Sequence, residues 1–209
     1  GMFRDGRNLR VLTSESAIHS SPSWAPDNNR LLYSQAPNDK TTGKIGIVGF
    51  DLSRPLSFYT GTREAYGTWS PDGGQIAVQI SDGRIVILDS QTARPIREGT
   101  PQVDSAPITP VRGFVEWTAD GQSLLSIGLP SESEALMLYE FDAQDFSVKQ
   151  AIDLGACEYI DGVFPGFSLT DDGDVYVKMV ECVLQVDLAS GTATPVEFIR
   201  RGMLDINLR

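Results

Sequence analysis

The chain has 209 residues, and 41% of them are hydrophobic, which is sufficient for a sizeable buried core in one domain. Seventeen lysines and arginines stand against 28 aspartates and glutamates, so the formal net charge is -11. An acidic chain of this kind repels nucleic-acid phosphates and anionic lipid surfaces. No stretch approaches the roughly 18 consecutive apolar residues of a membrane span. We therefore expect neither nucleic-acid binding nor membrane insertion, while the oligomeric state stays open.

The first residues bear on the cellular compartment. Gly1 precedes Met2, which is the order that a cleaved purification tag leaves, so we take Met2 as the native start. Residues 3–7 contain no apolar segment of the kind that a secretory signal needs. We therefore expect a cytoplasmic protein. The competing interpretation is that a signal was trimmed ahead of an internal or introduced methionine.

Four segments of the chain repeat one turn pattern. They align without gaps at intervals of 45 to 52 residues, and they are residues 22–28, 67–73, 115–121 and 167–173. The most complete copy reads Trp69-Ser70-Pro71-Asp72-Gly73. Proline fixes φ near about −65°, aspartate can bind its own backbone, and glycine supplies a positive φ. The pattern therefore predicts a tight hairpin turn in each copy.

Each copy has one apolar run before its turn and three after it. Counted from the run before the turn, the third run ends in an aspartate in every copy, at Asp51, Asp89, Asp142 and Asp187. Four short strands per period, with no helical periodicity between them, are typical of a four-stranded antiparallel propeller blade. We predict an all-β fold, a β-propeller forming one domain over residues 1–209. The expected blades are approximately 18–62, 63–101, 110–154 and 160–199, with an extra outer strand at 5–13.

The tryptophans ahead of the turns carry a resemblance to a known family. With Trp24, Trp69 and Trp117 before Ser-Pro-Asp-Gly-type turns, the chain resembles TolB-like β-propellers, which have WD-repeat-like sequences of this form. The resemblance spans nearly the whole chain, although the fourth copy has Leu169 and Asp171 in place of tryptophan and proline. It implies a bacterial protein, with the periplasm as the alternative compartment. We expect the tryptophans to pack between blades rather than to form an exposed stacking platform.

Ring closure is a separate question. The four blades already occupy the chain from His19 to Phe198, which leaves residues 5–13 as an outermost strand without three preceding strands. We expect an incomplete ring, either as part of a larger five- or six-bladed propeller or with the tail after Phe198 displaced. Pairing of residues 8–12 with residues 182–186 would instead close a four-bladed ring.

The residues that could perform catalysis or bind a metal are few. His19 is the sole imidazole, and the chain has no Gly-x-Ser-x-Gly nucleophile elbow, so we take His19 as a polar loop or channel-lining residue. Asp171, Asp172 and Asp174 crowd one turn without the spacing of a calcium loop. Residues 43–49 lack the glycine order of a dinucleotide site. We predict no catalytic residue, no metal and no cofactor.

The lengths of the connections carry the main functional signal. Residues 37–44, 100–113, 130–135 and 155–165 exceed or match the upper end of the usual connection of about four to six residues. In propeller topology these four connections leave from one face, which we predict to be the binding face. Its candidate residues are Asp104, Arg112, Phe114, Glu132, Glu158, Tyr159, Asp161 and Phe164.

The predicted function is that of a non-enzymatic scaffold that binds a protein or peptide through this loop-rich face. The prediction rests partly on analogy of fold, and folds of this type host many functions. The alternative is binding of a small ligand or carbohydrate in the central channel. The identity of the partner is not readable from the chain.

Cys157 and Cys182 are the two cysteines of the chain. One falls in the link before the predicted fourth blade and the other starts its third strand, so the two should meet on one face. A bond between them would close a loop of about 25 residues, but only in an oxidising compartment. With Met2 taken as the start, we expect the two thiols to lie close together without a bond.

Overall fold

The computed structural model describes residues 11–13, 17–37, 43–49, 55–61, 65–104, 106–130, 135–155, 166–170, 172–179 and 182–196. Within these ranges the side chains of residues 59, 110–114 and 167 are excepted. No described segment is helical. Accordingly, the described part of the chain offers no helix that is long and apolar enough to cross a membrane.

Four antiparallel sheets of four strands each account for most of the described chain. In every sheet the strand order is the chain order. The first sheet comprises β1 (Ala17–Trp24), β2 (Arg30–Pro37), β3 (Lys44–Gly49) and β4 (Leu56–Tyr59). The second comprises β5 (Ala65–Trp69), β6 (Gln75–Ile80), β7 (Ile85–Asp89) and β8 (Pro95–Gly99).

The second half of the chain repeats this arrangement after a short hairpin of β9 (Gln102–Val103) and β10 (Ala106–Pro107). The third sheet comprises β11 (Thr109–Trp117), β12 (Ser123–Leu129), β13 (Met137–Asp142) and β14 (Val148–Asp153). The fourth comprises β15 (Gly166–Leu169), β16 (Val175–Lys178), β17 (Val183–Asp187) and β18 (Thr192–Pro195). The predicted all-β fold with four four-stranded blades is confirmed, while the domain boundaries stay a prediction.

Three hydrophobic clusters of described residues join the sheets face to face, and each cluster joins consecutive sheets. Members from the first and second sheets include Leu32, Ile45, Ile47, Trp69, Ile76 and Val78. Members from the second and third include Ile85, Ile87, Trp117, Leu124, Tyr139 and Phe141. Members from the third and fourth include Leu125, Ile127, Leu138, Val175, Val177 and Leu184. Each of the first three sheets therefore buries a face against the next one in the chain.

The exposure of each tryptophan depends on whether another sheet is stacked over it. Trp69 and Trp117 are each 6% exposed in the clusters that join their sheets to the preceding ones. Trp24 holds the same place in the first sheet but is 49% exposed. The prediction of core packing is thus confirmed for two tryptophans and wrong for Trp24, since the described strands include no sheet ahead of β1 to cover it.

The fourth sheet ends the stack among the described residues. One of its faces is buried against the third sheet, whereas Ser168, Lys178, Gln185 and Thr194 on the other face are exposed. A polar outer face is typical of the terminal unit in a repeat structure. None of the three clusters of described residues joins the fourth sheet to the first. The expected incomplete ring agrees with this arrangement.

The strand order also bears on the proposed closing contact. β17 is paired with β16 along one edge and with β18 along the other. Residues 183–186 therefore have both edges occupied by strands of their own sheet. Residues 1–10 themselves lie outside the described part of the chain.

Shortening a side chain between two stacked sheets should be costly. Ile87 of β7 is 0% exposed between the second and third sheets, so Ile87→Ala should lower the free energy of unfolding by about 2 to 5 kcal/mol. Ile96 of the adjacent β8 is 49% exposed, so Ile96→Ala should change it by about 0.5 kcal/mol or less. Urea denaturation measures both, and equal effects would contradict the stacking described here.

Candidate functional site

The antiparallel strand order gives the stack two different ends. The turns that join first to second strands and third to fourth strands lie at one end, which we call the turn end. Its described turns are residues 25–29, 70–74, 90–94, 118–122, 143–147 and 188–191. The connections between second and third strands and between sheets lie at the other end, the loop end. Residues 81–84 form a connection at this end that is described completely. Residues 100–108 form another, which is described except at residue 105.

The first turns of the second and third repeats are each fixed by a hydroxyl and a carboxylate. The Ser70 hydroxyl donates to Asp72 Oδ1 at 2.6 Å and accepts the Gln75 N–H at 2.9 Å. The Thr118 hydroxyl repeats both contacts, with Asp120 at 2.7 Å and Ser123 at 3.0 Å. The hydrogen bond from Ser70 is the main cause that lowers the pKa of Asp72. These carboxylates therefore stabilise the turns.

The aspartates that end the third strands have the same kind of role. Asp89 Oδ1 accepts hydrogen bonds from the Thr92 hydroxyl at 2.7 Å and the Thr92 N–H at 2.8 Å. Asp142 and Asp187 accept N–H groups two residues ahead in their own turns, each at 2.8 Å. Hydrogen bonds within the turns lower the pKa of all three carboxyls. The recurrent aspartate is thus explained by turn formation.

A long cationic side chain fastens the first sheet to the second at the turn end. The Arg30 guanidinium donates to the Ser90 carbonyl at 3.2 Å and to the Gly73 carbonyl at 3.2 Å. It also lies 4.8 Å from the centre of the Trp69 ring. The Trp69 indole N–H donates in return to the Ser23 carbonyl at 3.1 Å. Hydrogen bonds and a cation–π contact thus add directional contacts to an apolar interface.

The next two junctions repeat this contact with other donors. Arg97 Nε donates to the Ala143 carbonyl at 2.9 Å, and Gln150 Nε2 donates to the Leu188 carbonyl at 2.8 Å. Ser90, Ala143 and Leu188 each come directly after the aspartate that ends a third strand. The same carbonyl of the repeat therefore accepts a side chain from the preceding sheet at all three described junctions. We call these contacts the junction hydrogen bonds.

A polar pair lies inside the junction of the second and third sheets. The Thr68 hydroxyl on β5 donates to Glu116 Oε2 on β11 at 2.6 Å. Burial raises the pKa of Glu116, and the hydrogen bond from Thr68 opposes this effect. Nearby, the Ser126 hydroxyl donates to Gln79 Oε1 at 2.7 Å, and both side chains are buried. Sequence reasoning missed the Thr68–Glu116 pair because Glu116 falls inside the segment that was assigned to the turn pattern.

One predicted site residue, Asp104, lies at the described loop end. Asp104 is exposed between β9 and β10, with a φ of 52°. On the same end, Arg84 pairs with Asp82 at 2.9 Å and with Glu98 at 3.9 Å. Sequence reasoning missed this ion-pair group because residues 81–84 form a turn of ordinary length.

The predicted loop at residues 100–113 is wrong in its extent. β9 and β10 pair within it, and β11 already begins at Thr109, opposite Leu129 of β12. Gly128 makes this possible, since a Cβ there would lie only 2.6 Å from Ile108. Arg112 and Phe114 therefore belong to a strand rather than to an exposed loop, and their side chains fall outside the description.

The structure does not describe the remaining candidates of the binding face. Glu132, Glu158, Tyr159, Asp161 and Phe164 lie outside the described residues, so their grouping stays a prediction.

The predicted absence of catalytic and metal sites stays a prediction as well. His19 lies exposed in strand β1, with its ring 5.3 Å from that of Tyr33. Among the described residues, no group of three or more His, Cys, Asp or Glu side chains could hold a metal ion.

The expectation of free thiols is wrong for Cys182, which is disulfide-bonded. Cys157, the other cysteine of the chain, lies outside the described residues. The expectation depended on taking Met2 as the native start and on the reducing compartment that this start implies.

The junction hydrogen bonds lead to a direct comparison of two arginines. Arg30→Met removes charged donors and the contact with Trp69, and should lower the free energy of unfolding by about 2 kcal/mol. Arg84→Met removes only exposed ion pairs at the loop end and should cost about 0.5 kcal/mol or less. Urea denaturation followed by tryptophan fluorescence measures both, and equal costs would contradict the role given to Arg30.

Glu116 should make stability depend on pH. Because its pKa is raised in the folded protein, the folded state holds a proton that the unfolded chain releases. The free energy of unfolding therefore falls as the pH rises from the ordinary glutamate pKa through the raised one. Glu116→Gln cannot titrate and can still accept the hydrogen bond from Thr68. It should gain stability over the wild type at about pH 8 and lose most of this gain at about pH 4.

Urea denaturation at both pH values tests this expectation. Glu98→Gln, which removes a carboxylate from the loop end, controls for the change in net charge. A difference between Glu116→Gln and the wild type that stays the same at both pH values would contradict it.

Comparisons with known proteins agree with the fold. No family model matches the chain. It is 33% identical over 113 residues to the Tol-Pal system protein TolB of Anaeromyxobacter dehalogenans strain 2CP-1, a match that covers 49% of this chain and 24% of the relative. The chain thus spans about a quarter of the length of the curated relatives it matches in this way.

Two solved structures show the same architecture at low sequence identity. TolB from Acinetobacter baumannii is 18% identical, with a TM-score of 0.61 over 92% of this chain and 46% of its own. Kuenenia stuttgartiensis hydrazine synthase is 17% identical, with a TM-score of 0.60 over 91% of this chain and 52% of its own. Four stacked four-stranded sheets, the repeated turn pattern and these similarities lead to one conclusion: the chain is a TolB-like β-propeller.

Proposed function

We propose that this chain is a non-enzymatic scaffold that binds a protein or peptide through its loop end. The difference between the two ends of the stack carries the proposal. The turns at the turn end are short and closely similar, and hydrogen bonds within them fix their conformation. Three junction hydrogen bonds also attach these turns to neighbouring sheets. Recognition residues are commonly placed on loops that a rigid framework positions, and the loop end offers such loops.

The name of the Anaeromyxobacter relative supports the same class of function, since it describes a component of the Tol-Pal system. We propose that this chain likewise acts as one component of a protein assembly. Because the chain spans only 24% of that relative, the assembly and the partner are not carried over with the name.

The charge of the described loop end indicates the chemistry of the partner that it would bind. The described carboxylates there are Asp82, Glu98, Asp104 and Asp153, and the described cationic side chains are Lys44, Arg84 and Lys178. Together with the net charge of -11, this excess of one carboxylate favours a partner surface that carries cationic groups. The candidates outside the description include three more carboxylates, at Glu132, Glu158 and Asp161.

We also propose that the protein works in an oxidising compartment such as the periplasm. The disulfide of Cys182 supports this, because disulfides persist in exported proteins and are rare in the cytosol. The compartment expected from the first residues of the chain was the cytoplasm, and the disulfide favours the alternative.

A pair of matched substitutions tests the loop end as the binding face. Gln102 on β9 is exposed at the loop end, and Gln144 is exposed in a turn at the turn end. Peptides selected from a random display library against the wild-type protein should bind Gln102→Arg at least about tenfold more weakly, an effect of about 1.4 kcal/mol. The same peptides should bind Gln144→Arg with unchanged affinity.

Fluorescence anisotropy with labelled peptides measures these affinities. Loss of binding to Gln144→Arg with retention by Gln102→Arg would overturn the assignment of the face. A parallel screen of free sugars covers the alternative function, and binding of sugars without peptide binding would favour a channel ligand instead.

A further inference from the structure

The junction of the second and third sheets contains one carboxyl group on the first strands of its two sheets. Glu116 of β11 directly precedes Trp117, and the corresponding residues of the other repeats are Ser23, Thr68 and Ser168. Three of these four positions carry a hydroxyl, which stays neutral in the ordinary pH range. Glu116 is therefore the one member of this set whose charge changes with pH.

The strands that pack most closely against β11 offer no cation to an ionised Glu116. These strands are β5, β6 and β12. Their sequences contain no lysine, arginine, histidine or further carboxyl group, and Tyr66, their one titratable residue, stays neutral below about pH 10. On β11 itself, the Arg112 side chain falls outside the description, and in the following turn the Thr118 hydroxyl donates to Asp120 at 2.7 Å. The junction therefore suits a neutral carboxyl better than an ionised one.

The closed junction already provides a partner for this carboxyl. The Thr68 hydroxyl donates to Glu116 Oε2 at 2.6 Å, and Thr68 is 6% exposed. Burial raises the pKa of Glu116, yet the residue is only half-buried, so protons from the solvent can reach it. Ionisation leaves a carboxylate with one hydroxyl and no cation from the neighbouring strands. Such a group favours an arrangement that admits more water.

The segment of β11 that carries Glu116 is short. The pairing of β11 with β12 shifts register between Pro110 and Val115, and only the pairs from Val115 to Trp117 follow this irregularity. Trp117 lies in the hydrophobic cluster that joins the second and third sheets. A displacement of Glu116 therefore moves a member of this cluster. Short paired segments of this kind open locally at a lower cost than whole sheets.

We propose that ionisation of Glu116 opens the junction between β5 and β11, so that the second and third sheets separate locally along their first strands. At low pH the neutral carboxyl keeps its hydrogen bond with Thr68, and the junction is closed. As the pH rises, the carboxyl gives its proton to water and the open, hydrated arrangement gains population. Beyond the change in global stability, this device makes one of the three described junctions sensitive to pH.

Hydrogen exchange followed by mass spectrometry tests the proposal on the full chain at about pH 5 and about pH 8. Each rate is divided by the rate of an unstructured peptide at the same pH, so that the chemical effect of pH on exchange cancels. The β5 and β11 amides should lose protection by at least about tenfold at the higher pH, because one unit of pKa shift corresponds to a tenfold change in the opening equilibrium. Unchanged protection of these amides would overturn the proposal.

Two variants assign the effect to its carboxyl group. Glu116→Gln should show the same protection at both pH values, because its amide does not titrate and can still accept the hydrogen bond from Thr68. Glu98→Gln, which removes a carboxylate from the loop end, should behave like the wild type. A loss of protection that persists in Glu116→Gln would overturn the proposal.

Urea well below the unfolding transition separates local opening from global unfolding. A local opening exposes little surface, so exchange of the β5 and β11 amides at about pH 8 should not respond to urea. These amides should also exchange faster than those of β3 and β17, which belong to the first and fourth sheets. Equal protection in all four sheets, or rates in β5 and β11 that rise with urea as global unfolding does, would overturn the proposal.

Discussion

Burial of each sheet face against the next sheet is the interaction on which the rest of this structure depends. A four-stranded sheet of this size cannot bury enough apolar area alone, and each described sheet is packed against at least one neighbour. The apolar contact itself is not directional. The junction hydrogen bonds supply direction, because Arg30, Arg97 and Gln150 each donate to the corresponding carbonyl of the repeat in the following sheet.

This constraint separates the two ends of the molecule. At the turn end the second, third and fourth repeats each present a carbonyl to the preceding sheet, so the length and chemistry of these turns are restricted. The loop end carries no such requirement, and there the connections vary from the turn at residues 81–84 to the hairpin of β9 and β10. A framework with one fixed end and one variable end suits a scaffold whose recognition residues can change without loss of the fold.

The sequence predicted the features that local chemistry determines. The turn pattern around Pro71, Asp72 and Gly73 requires a proline φ, a carboxylate acceptor and a positive φ of 70°, and these are properties of the residues themselves. The same holds for Asp89, whose carboxylate accepts hydrogen bonds from its own turn. Both could therefore be recognised without a structure, and so could the order of the strands.

Features that depend on distant neighbours could not be predicted in this way. Trp24 and Trp69 occupy the same place in the repeat, yet only Trp69 is covered, because burial depends on the sheet that precedes each one. The length of β11 depends on the close approach of Ile108 to Gly128, which lies 15 residues after Gly113, the end of the predicted loop. Of the predicted binding face, the structure locates Asp104 at the loop end and shows Arg112 and Phe114 to lie within a strand.

The central claim is that neighbouring sheets are coupled by specific contacts in addition to apolar burial. A double-mutant cycle on Arg30 and Trp69 tests it most directly, because their side chains belong to different sheets and meet at 4.8 Å. The free energies of unfolding of Arg30→Met, Trp69→Leu and the double variant give the coupling energy between the two sheets. The account predicts a coupling of at least about 0.5 kcal/mol. Additive effects of the two substitutions would contradict it.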